Sequence, residues 1–115
     1  MTRRPTRAMR ATAEFHALRA DPAMLRGALA NSPRSGFLRL LAAGHSVAID
    51  DGELTGNSHR YRWLVVDGDH IGMRESWGAL GRLAARLADS DPATWTALKS
   101  AEMDREDRLA ARRGR

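Results

Sequence analysis

Cysteine is absent from this chain of 115 residues. The absence excludes disulfide bonds, thiolate metal ligands and cysteine nucleophiles, and it fits a reducing compartment such as the cytosol. Lysine is almost absent as well, because Lys99 stands alone against eighteen arginines. This bias, together with abundant alanine, indicates a bacterial genome of high G+C content.

Long apolar runs are also missing. None approaches the roughly 18 apolar residues that a membrane span requires. The basic start of the chain, residues 1–10, leads into no apolar stretch, so we expect no secretory signal. These absences predict a cytoplasmic protein without a membrane partner.

The motifs of several enzyme classes do not occur. There is no glycine-rich phosphate loop followed by Lys and Ser or Thr, no Gly-x-Gly-x-x-Gly fingerprint and no Gly-x-Ser-x-Gly elbow. The turn-like segment 67–69 lacks the alternating ligands and final Glu of a calcium loop. The sequence therefore predicts no enzyme, no metal site and no cofactor. An enzyme would need His45, His59, Asp67 and His70 to converge in one buried pocket.

The composition is typical of one small globular domain, with 43% hydrophobic and 29% charged residues. The net charge of +5 comes from the two ends. Residues 1–10 hold four arginines and no acid, and residues 105–115 hold five arginines and two acids, whereas the centre is slightly acidic. We expect a basic disordered arm at 1–6, a single domain at 7–103 and a charged tail at 104–115. Ion pairs such as Asp104 with Arg108 can hold that tail helical.

Apolar periodicity and helix start signals predict an α+β fold. It has three N-terminal helices, a small antiparallel sheet of two or three strands within residues 46–74, and two C-terminal helices. The first helix is expected at 7–20. Each of the next two begins at a capping residue followed by proline, Asp21-Pro22 and Ser32-Pro33, which places the third helix at 33–43. Asn31 is expected to close the second helix in a left-handed conformation, and Gly44 to end the third.

The C-terminal helices carry similar signals. Ser76 can cap a helix that runs to about residue 88, and Asp91-Pro92 can open the last one. The last helix is expected to turn Trp95, Leu98 and Ala101 inward.

Residues 61–74 have the pattern of a β-hairpin. An aromatic and β-branched run is followed by the turn segment 67–69 and a second short apolar run. Alternation places Tyr61, Trp63 and Val65 on one face, and Leu64 and Val66 on the other together with two arginines, Arg60 and Arg62. Because Trp63, Trp77 and Trp95 each take an inward position of their element, we expect a shared aromatic core. A stacking platform for bases is the alternative.

We predict a non-enzymatic regulatory protein that acts by protein–protein contact. Its acidic centre suits a basic partner, such as a protein of a nucleic-acid-handling machine, and small phage and mobile-element proteins that inhibit such machines often have this build. The carboxylates expected to make the contact lie around the sheet: Asp50, Asp51, Glu53, Asp67, Asp69 and Glu75. A homodimer formed through the helices of Trp77 and Trp95 is left open.

The alternative is a nucleic-acid-binding protein. The element order resembles a winged helix-turn-helix in outline, with helix 33–43 as the reading helix and the hairpin as the wing, or the basic ends bind polyanions without sequence preference. The residues expected to carry either mode are arginines: Arg3, Arg4, Arg7, Arg10, Arg34, Arg39, Arg112 and Arg113.

Overall fold

A computed structural model describes residues 4–51 and 61–113 of the chain and shows an α+β fold. Its helices are α1 (Arg7–Ala20), α2 (Pro22–Asn31), α3 (Gly36–Ala42), α4 (Trp77–Ala88) and α5 (Trp95–Arg113). Its strands are β1 (Val47–Asp50), β2 (Arg62–Val66) and β3 (Asp69–Arg74). They form one antiparallel sheet in the order β1-β2-β3. The predicted fold class is confirmed, with three helices before the sheet and two after it.

Side-chain caps begin most helices where the sequence predicts. The Asp21 carboxylate accepts the Met24 amide at 3.2 Å, and the Ser76 hydroxyl accepts the Ala79 amide at 3.0 Å. Asp91 accepts the Ala93 amide at 3.0 Å, although it opens a short 3₁₀ turn, Pro92–Thr94, that leads into α5. Each cap satisfies an amide that has no partner inside its helix, and this is why these start signals are reliable.

The predicted start of α3 at Pro33 is wrong. α3 begins at Gly36 because Ser35 acts as the cap and its hydroxyl accepts the Leu38 amide at 3.3 Å. Ser32 instead ends α2, where its amide donates to the carbonyls of Ala28 and Leu29. The Ser32 carbonyl then accepts the Ser35 amide at 3.1 Å, which makes residues 32–35 a turn between the two helices.

The predicted left-handed closure at Asn31 is also wrong. Asn31 is the last helical residue of α2, and Asp67 is the non-glycine residue with a positive φ in the described part of the chain. The left-handed residue after α3 is Gly44, as predicted, with a φ of 99°. The amides of Gly44 and His45 reach back to the carbonyls of Leu41 and Leu40, which is the bonding of a Schellman ending.

The hairpin between β2 and β3 is confirmed. Asp67 and Gly68 form its two-residue turn with φ values of 52° and 79°, and positive φ at both central residues defines a type I′ turn. Within the hairpin, Leu64 pairs with Gly72 but Val65 pairs with His70, so Ile71 of β3 has no partner on β2. This bulge lets two consecutive residues of β3, Ile71 and Gly72, both be buried.

The core lies between the helices and one face of the sheet. The strands contribute Val47, Ile49, Leu64, Val66 and Ile71, and the helices contribute residues such as Leu18, Leu40, Leu80 and Leu87. α3 lies at the centre of this core, as predicted, because Gly36, Leu38, Leu40 and Leu41 are all buried.

The expected aromatic core is wrong. All three tryptophans are only half-buried, and each has a different neighbour. Trp63 meets His70 edge-on at 5.4 Å, Trp95 lies 4.7 Å from His45, and Trp77 lies beside arginines. The reason is that the helices cover the face of β2 that carries Leu64 and Val66, which leaves Trp63 on the opposite face.

The prediction that Ala101 of α5 faces inward is wrong. Ala101 is exposed, and the buried residue of this turn is Glu102. The helix continues without interruption across residue 103 as far as Arg113, so the described part of the predicted tail is helical. The division of the chain into arm, domain and tail stays a prediction. No helix among the described residues is long and apolar enough to span a membrane.

Candidate functional site

Most of the predicted contact carboxylates already have partners within the chain. Asp50 lies 2.9 Å from His70, Asp67 lies 2.7 Å from His45, and Asp69 forms an ion pair with Lys99. Asp51 accepts a hydrogen bond from the Thr6 hydroxyl at 2.6 Å. These four carboxylates therefore brace the sheet through contacts within the chain.

The remaining two predicted carboxylates differ from these. Glu75 is exposed just after β3, and its backbone carbonyl accepts a hydrogen bond from Arg62 at 2.8 Å. Glu53 lies outside the described residues.

Asp67 ties the hairpin turn to the connection between α3 and β1. One carboxylate oxygen accepts the Ser46 amide at 2.9 Å, and the other lies 2.7 Å from His45 Nδ1. Burial acts to raise the pKa of Asp67, but the Ser46 hydrogen bond and the hydrogen bond and charge of His45 outweigh it, so the pKa is lowered from 3.8. The ionised carboxylate is thus the form that the fold stabilises.

We expect Asp67→Asn to isolate this contact, because asparagine before glycine suits a type I′ turn and leaves the turn intact. The loss should be about 0.5–1 kcal/mol of unfolding free energy at pH 7, since the carboxylate is half exposed. A lowered folded pKa adds stability above the unfolded value of 3.8, and this stability is lost as the pH falls through the folded value. Urea unfolding at pH 7 and pH 3 should show the gap between variant and wild type closing; an unchanged gap would contradict the role of charge.

The two described histidines that an enzyme would require, His45 and His70, have different carboxylate partners. His45 pairs with Asp67, whereas His70 pairs with Asp50 instead, and His59 lies outside the described residues. Within residues 4–51 and 61–113, no three His, Asp or Glu side chains come close enough to hold a metal ion.

One face of the sheet carries the most distinctive surface of the described structure. Strand register places Ala48, Val65 and His70 in one row across the three strands, and Asp50, Trp63 and Met73 in the next. Alternation adds Tyr61, and we call these seven residues the outer face. None of the described apolar residues that form the core or pack against it belongs to this face.

The side chains of the outer face are partly exposed and mostly apolar or aromatic. Trp63, Val65 and Met73 are half-buried, and the polar pair of Asp50 and His70 lies beside them at 2.9 Å. Tryptophan, tyrosine and methionine are the residue types enriched in the centres of protein interfaces. The sequence did not predict that the outer face is left uncovered by the helices, because alternation alone does not tell which of two apolar faces the helices will cover.

Both edge strands of the sheet have backbone groups occupied by side chains. On β1, the Thr12 hydroxyl accepts the Ile49 amide at 2.9 Å and lies 3.2 Å from the Ile49 carbonyl. On β3, the Arg74 guanidinium donates to the Met73 carbonyl at 2.8 Å. Such contacts disfavour the addition of a further strand, so a partner of this sheet is expected to contact its face.

The predicted nucleic-acid contacts belong to several elements of the fold. Arg4, Arg10, Arg34 and Arg112 are exposed, and Arg39 forms an ion pair with Asp89. Arg7 lies over the Trp77 ring at 4.5 Å from its centroid. Arg3 and the side chain of Arg113 lie outside the described part of the structure.

α3 offers little of what a recognition helix uses. Arg34 precedes the helix, the Ser35 hydroxyl caps it, and Arg39 is held by Asp89. A recognition helix needs a row of free polar side chains along one exposed face. The similarity to a winged helix-turn-helix therefore stays a hypothesis, and no contact of α3 favours it.

A buried ion pair attaches α5 to β3. The Arg74 guanidinium donates to both Glu102 oxygens, at 2.6 and 2.7 Å, and the two side chains are 14% and 7% exposed. Gly72 makes room for the Glu102 side chain, because a Cβ on residue 72 would lie 3.1 Å from Glu102 Cγ. The Arg74 hydrogen bond lowers the pKa of Glu102. Burial and the Glu102 charge raise the pKa of Glu106, one turn further along α5.

The sequence pattern did not indicate the ion pair of Arg74 with Glu102. A charged residue in a helix stripe next to apolar positions looks like the edge of a solvated face. The signal that was present is the glycine in the middle of β3, since an isolated glycine in a strand often marks a close approach.

Comparisons with family models, with curated proteins and with solved structures found no match to this chain.

Proposed function

We propose that this chain is a non-enzymatic binding protein that contacts a basic protein partner through the outer face of its sheet. The observation that carries the proposal is the outer face itself. It presents Tyr61, Trp63 and Met73 on a rigid sheet, outside the hydrophobic core. Aromatic residues on a rigid element contribute much binding energy because little side-chain entropy is lost when they are covered.

Charge complementarity argues for a basic partner. Asp50 belongs to the outer face, and Asp51, Asp69 and Glu75 lie at the ends of its strands. Carboxylates at the rim of an apolar centre attract basic proteins and accelerate their association. The contacts of Asp50 with His70 and of Asp69 with Lys99 are exposed, so a partner's arginine can join them without desolvating a buried pair.

The experiment places a photo-crosslinking phenylalanine at position 63 of the full chain, in cells of its own organism. The matched control carries the same residue at position 26, an exposed site on α2. We expect position 63 to capture a protein that position 26 does not. That protein is then purified and titrated with the wild type and with Trp63→Ala.

The proposal predicts a captured protein of basic charge whose affinity falls about 30-fold or more with Trp63→Ala, as for a residue at the centre of an interface. The affinity should also fall as salt is raised. Equal capture at the two positions, an acidic captured protein, or unchanged affinity for Trp63→Ala would overturn the proposal.

A further inference from the structure

A second surface lies away from the outer face, where α1, α3 and α4 meet. It is an open surface pocket of about 370 Å³ lined by Arg7, Arg10, Ala11, Glu14, Phe15, Phe37 and Trp77. This volume lies at the lower end of the range of about 300–1,000 Å³ for small-molecule pockets. Its lining combines cations with flat aromatic rings.

Within residues 4–51 and 61–113, the two cations of this pocket, Arg7 and Arg10, form no ion pair. Arg7 and Arg10 are three residues apart on α1 and so lie on the same side of the helix. Glu14 lines the same pocket but is not within ion-pair distance of either guanidinium. Two exposed guanidinium groups one turn apart can donate several hydrogen bonds to one phosphate.

Two helices begin at this pocket. Arg7 is the first residue of α1 and Trp77 is the first residue of α4. The amino ends of both helices carry partial positive charge, which adds to that of the two arginines and favours an anion.

The aromatic wall suits a planar ring. The Phe15 and Phe37 centroids lie 5.3 Å apart, and Trp77 forms the adjoining part of the lining. The Trp77 ring is already covered by two planar cations, Arg7 at 4.5 Å and Arg62 at 5.1 Å from its centroid, so the ring left to a base in this pocket is Phe37. Bases stack on such aromatic rings and on guanidinium planes with little preference for sequence. Glu14 supplies an acceptor for a ribose hydroxyl or an exocyclic amine.

We infer that this pocket binds a nucleoside phosphate, with the phosphate on Arg7 and Arg10 and the base against the Phe37 ring. The ligand is either a free nucleotide or one unit of a single-stranded nucleic acid, since both present the same chemistry. The pocket and the outer face share no residue, so this inference does not depend on the proposed protein contact.

The test uses the full chain with two probes, a labelled twelve-nucleotide oligo-dT followed by anisotropy and AMP followed by calorimetry. Arg10→Ala removes one phosphate contact, and Arg26→Ala is the matched control because it removes the same charge from an exposed site on α2. We expect Arg10→Ala to weaken binding about tenfold or more and Arg26→Ala to weaken it less than about twofold. Trp63→Ala should leave this binding unchanged.

The outcomes separate the sources. AMP that binds and displaces the oligonucleotide indicates a site for one nucleotide, whereas an oligonucleotide that binds without competition from AMP indicates single-stranded nucleic acid. The inference would be overturned if neither probe bound at about 50 mM salt, where polyanion binding is strong. It would also be overturned if Arg10→Ala and Arg26→Ala weakened binding equally, or if inorganic phosphate competed as well as AMP. Equal weakening would mean diffuse attraction, and equal competition would mean that the aromatic wall contributes nothing.

Discussion

We expect Gly36→Ala to destabilise the folded protein by about 3 kcal/mol or more, at the upper end of what overpacking a core does. Gly36 is where α3 touches α4 backbone to backbone. A Cβ on this residue would lie 2.6 Å from the carbonyl carbon of Ala84 and closer still to the Ala85 amide nitrogen. Backbone atoms cannot rotate away as a side chain can, so the two helices must separate, and both line the core.

The matched control is Gly27→Ala in α2. The chemical change is the same, but no atom lies within 4 Å of the position that its Cβ would take. Alanine in a helix interior is favoured over glycine by about 0.5–1 kcal/mol, so this variant should be more stable than the wild type. Urea unfolding should give midpoints on opposite sides of the wild type; equal midpoints for the two variants would contradict the close approach of α3 and α4.

The second large effect is expected for Arg74→Ala. The substitution leaves Glu102 buried without its partner, and removal of one member of a buried ion pair is destabilising by about 3–5 kcal/mol. Arg82→Ala is the control, since Arg82 is an exposed arginine of α4, and it should change stability by less than about 0.5 kcal/mol. Thermal and urea unfolding measure both variants.

The dependence on pH gives an independent check of this pair. The Arg74 hydrogen bond lowers the folded pKa of Glu102, so the wild type has this stability above the unfolded value of about 4.5 and loses it as the pH falls through the folded value. In Arg74→Ala the carboxyl can take up a proton as the pH falls, which removes the buried charge. The deficit of the variant should therefore shrink on acidification. A deficit that is the same at pH 7 and pH 3 would mean that lost packing, and not the charge of Glu102, is its cause.

Local chemistry explains why several element boundaries were predicted well. Asp21, Ser76 and Asp91 begin their elements as expected, because a cap is a contact between a side chain and an amide two or three residues away. Gly44 and the Asp67-Gly68 turn follow from the same kind of argument, since their positive φ is set by neighbours in the chain. The cap of α3 was predicted wrongly, because Ser35, and not Ser32, supplies the hydroxyl that accepts the Leu38 amide.

The candidate sites needed information that no local pattern contains. Trp63 and Leu64 alternate on one strand and are both apolar, yet Leu64 is buried in the core and Trp63 faces away from it. The described carboxylates proposed as contacts lie at the ends of the strands, but the pairing of three of them with His45, His70 and Lys99 joins residues up to 30 positions apart. The pocket of Arg7, Arg10 and Trp77 joins two helices that are distant in sequence.

The sequence by itself determined the α+β class, the order of the elements, most of their ends and the position of the hairpin turn. All of these depend on interactions between residues a few positions apart, or on periodicities of about 3.6 and 2 residues. The tertiary structure alone decided which face of the sheet is buried, how closely α3 approaches α4 at Gly36, and that Glu102 crosses Gly72 to reach Arg74. The physical reason is that these contacts depend on how the helices fill the volume above the sheet, and that volume is a property of the whole fold.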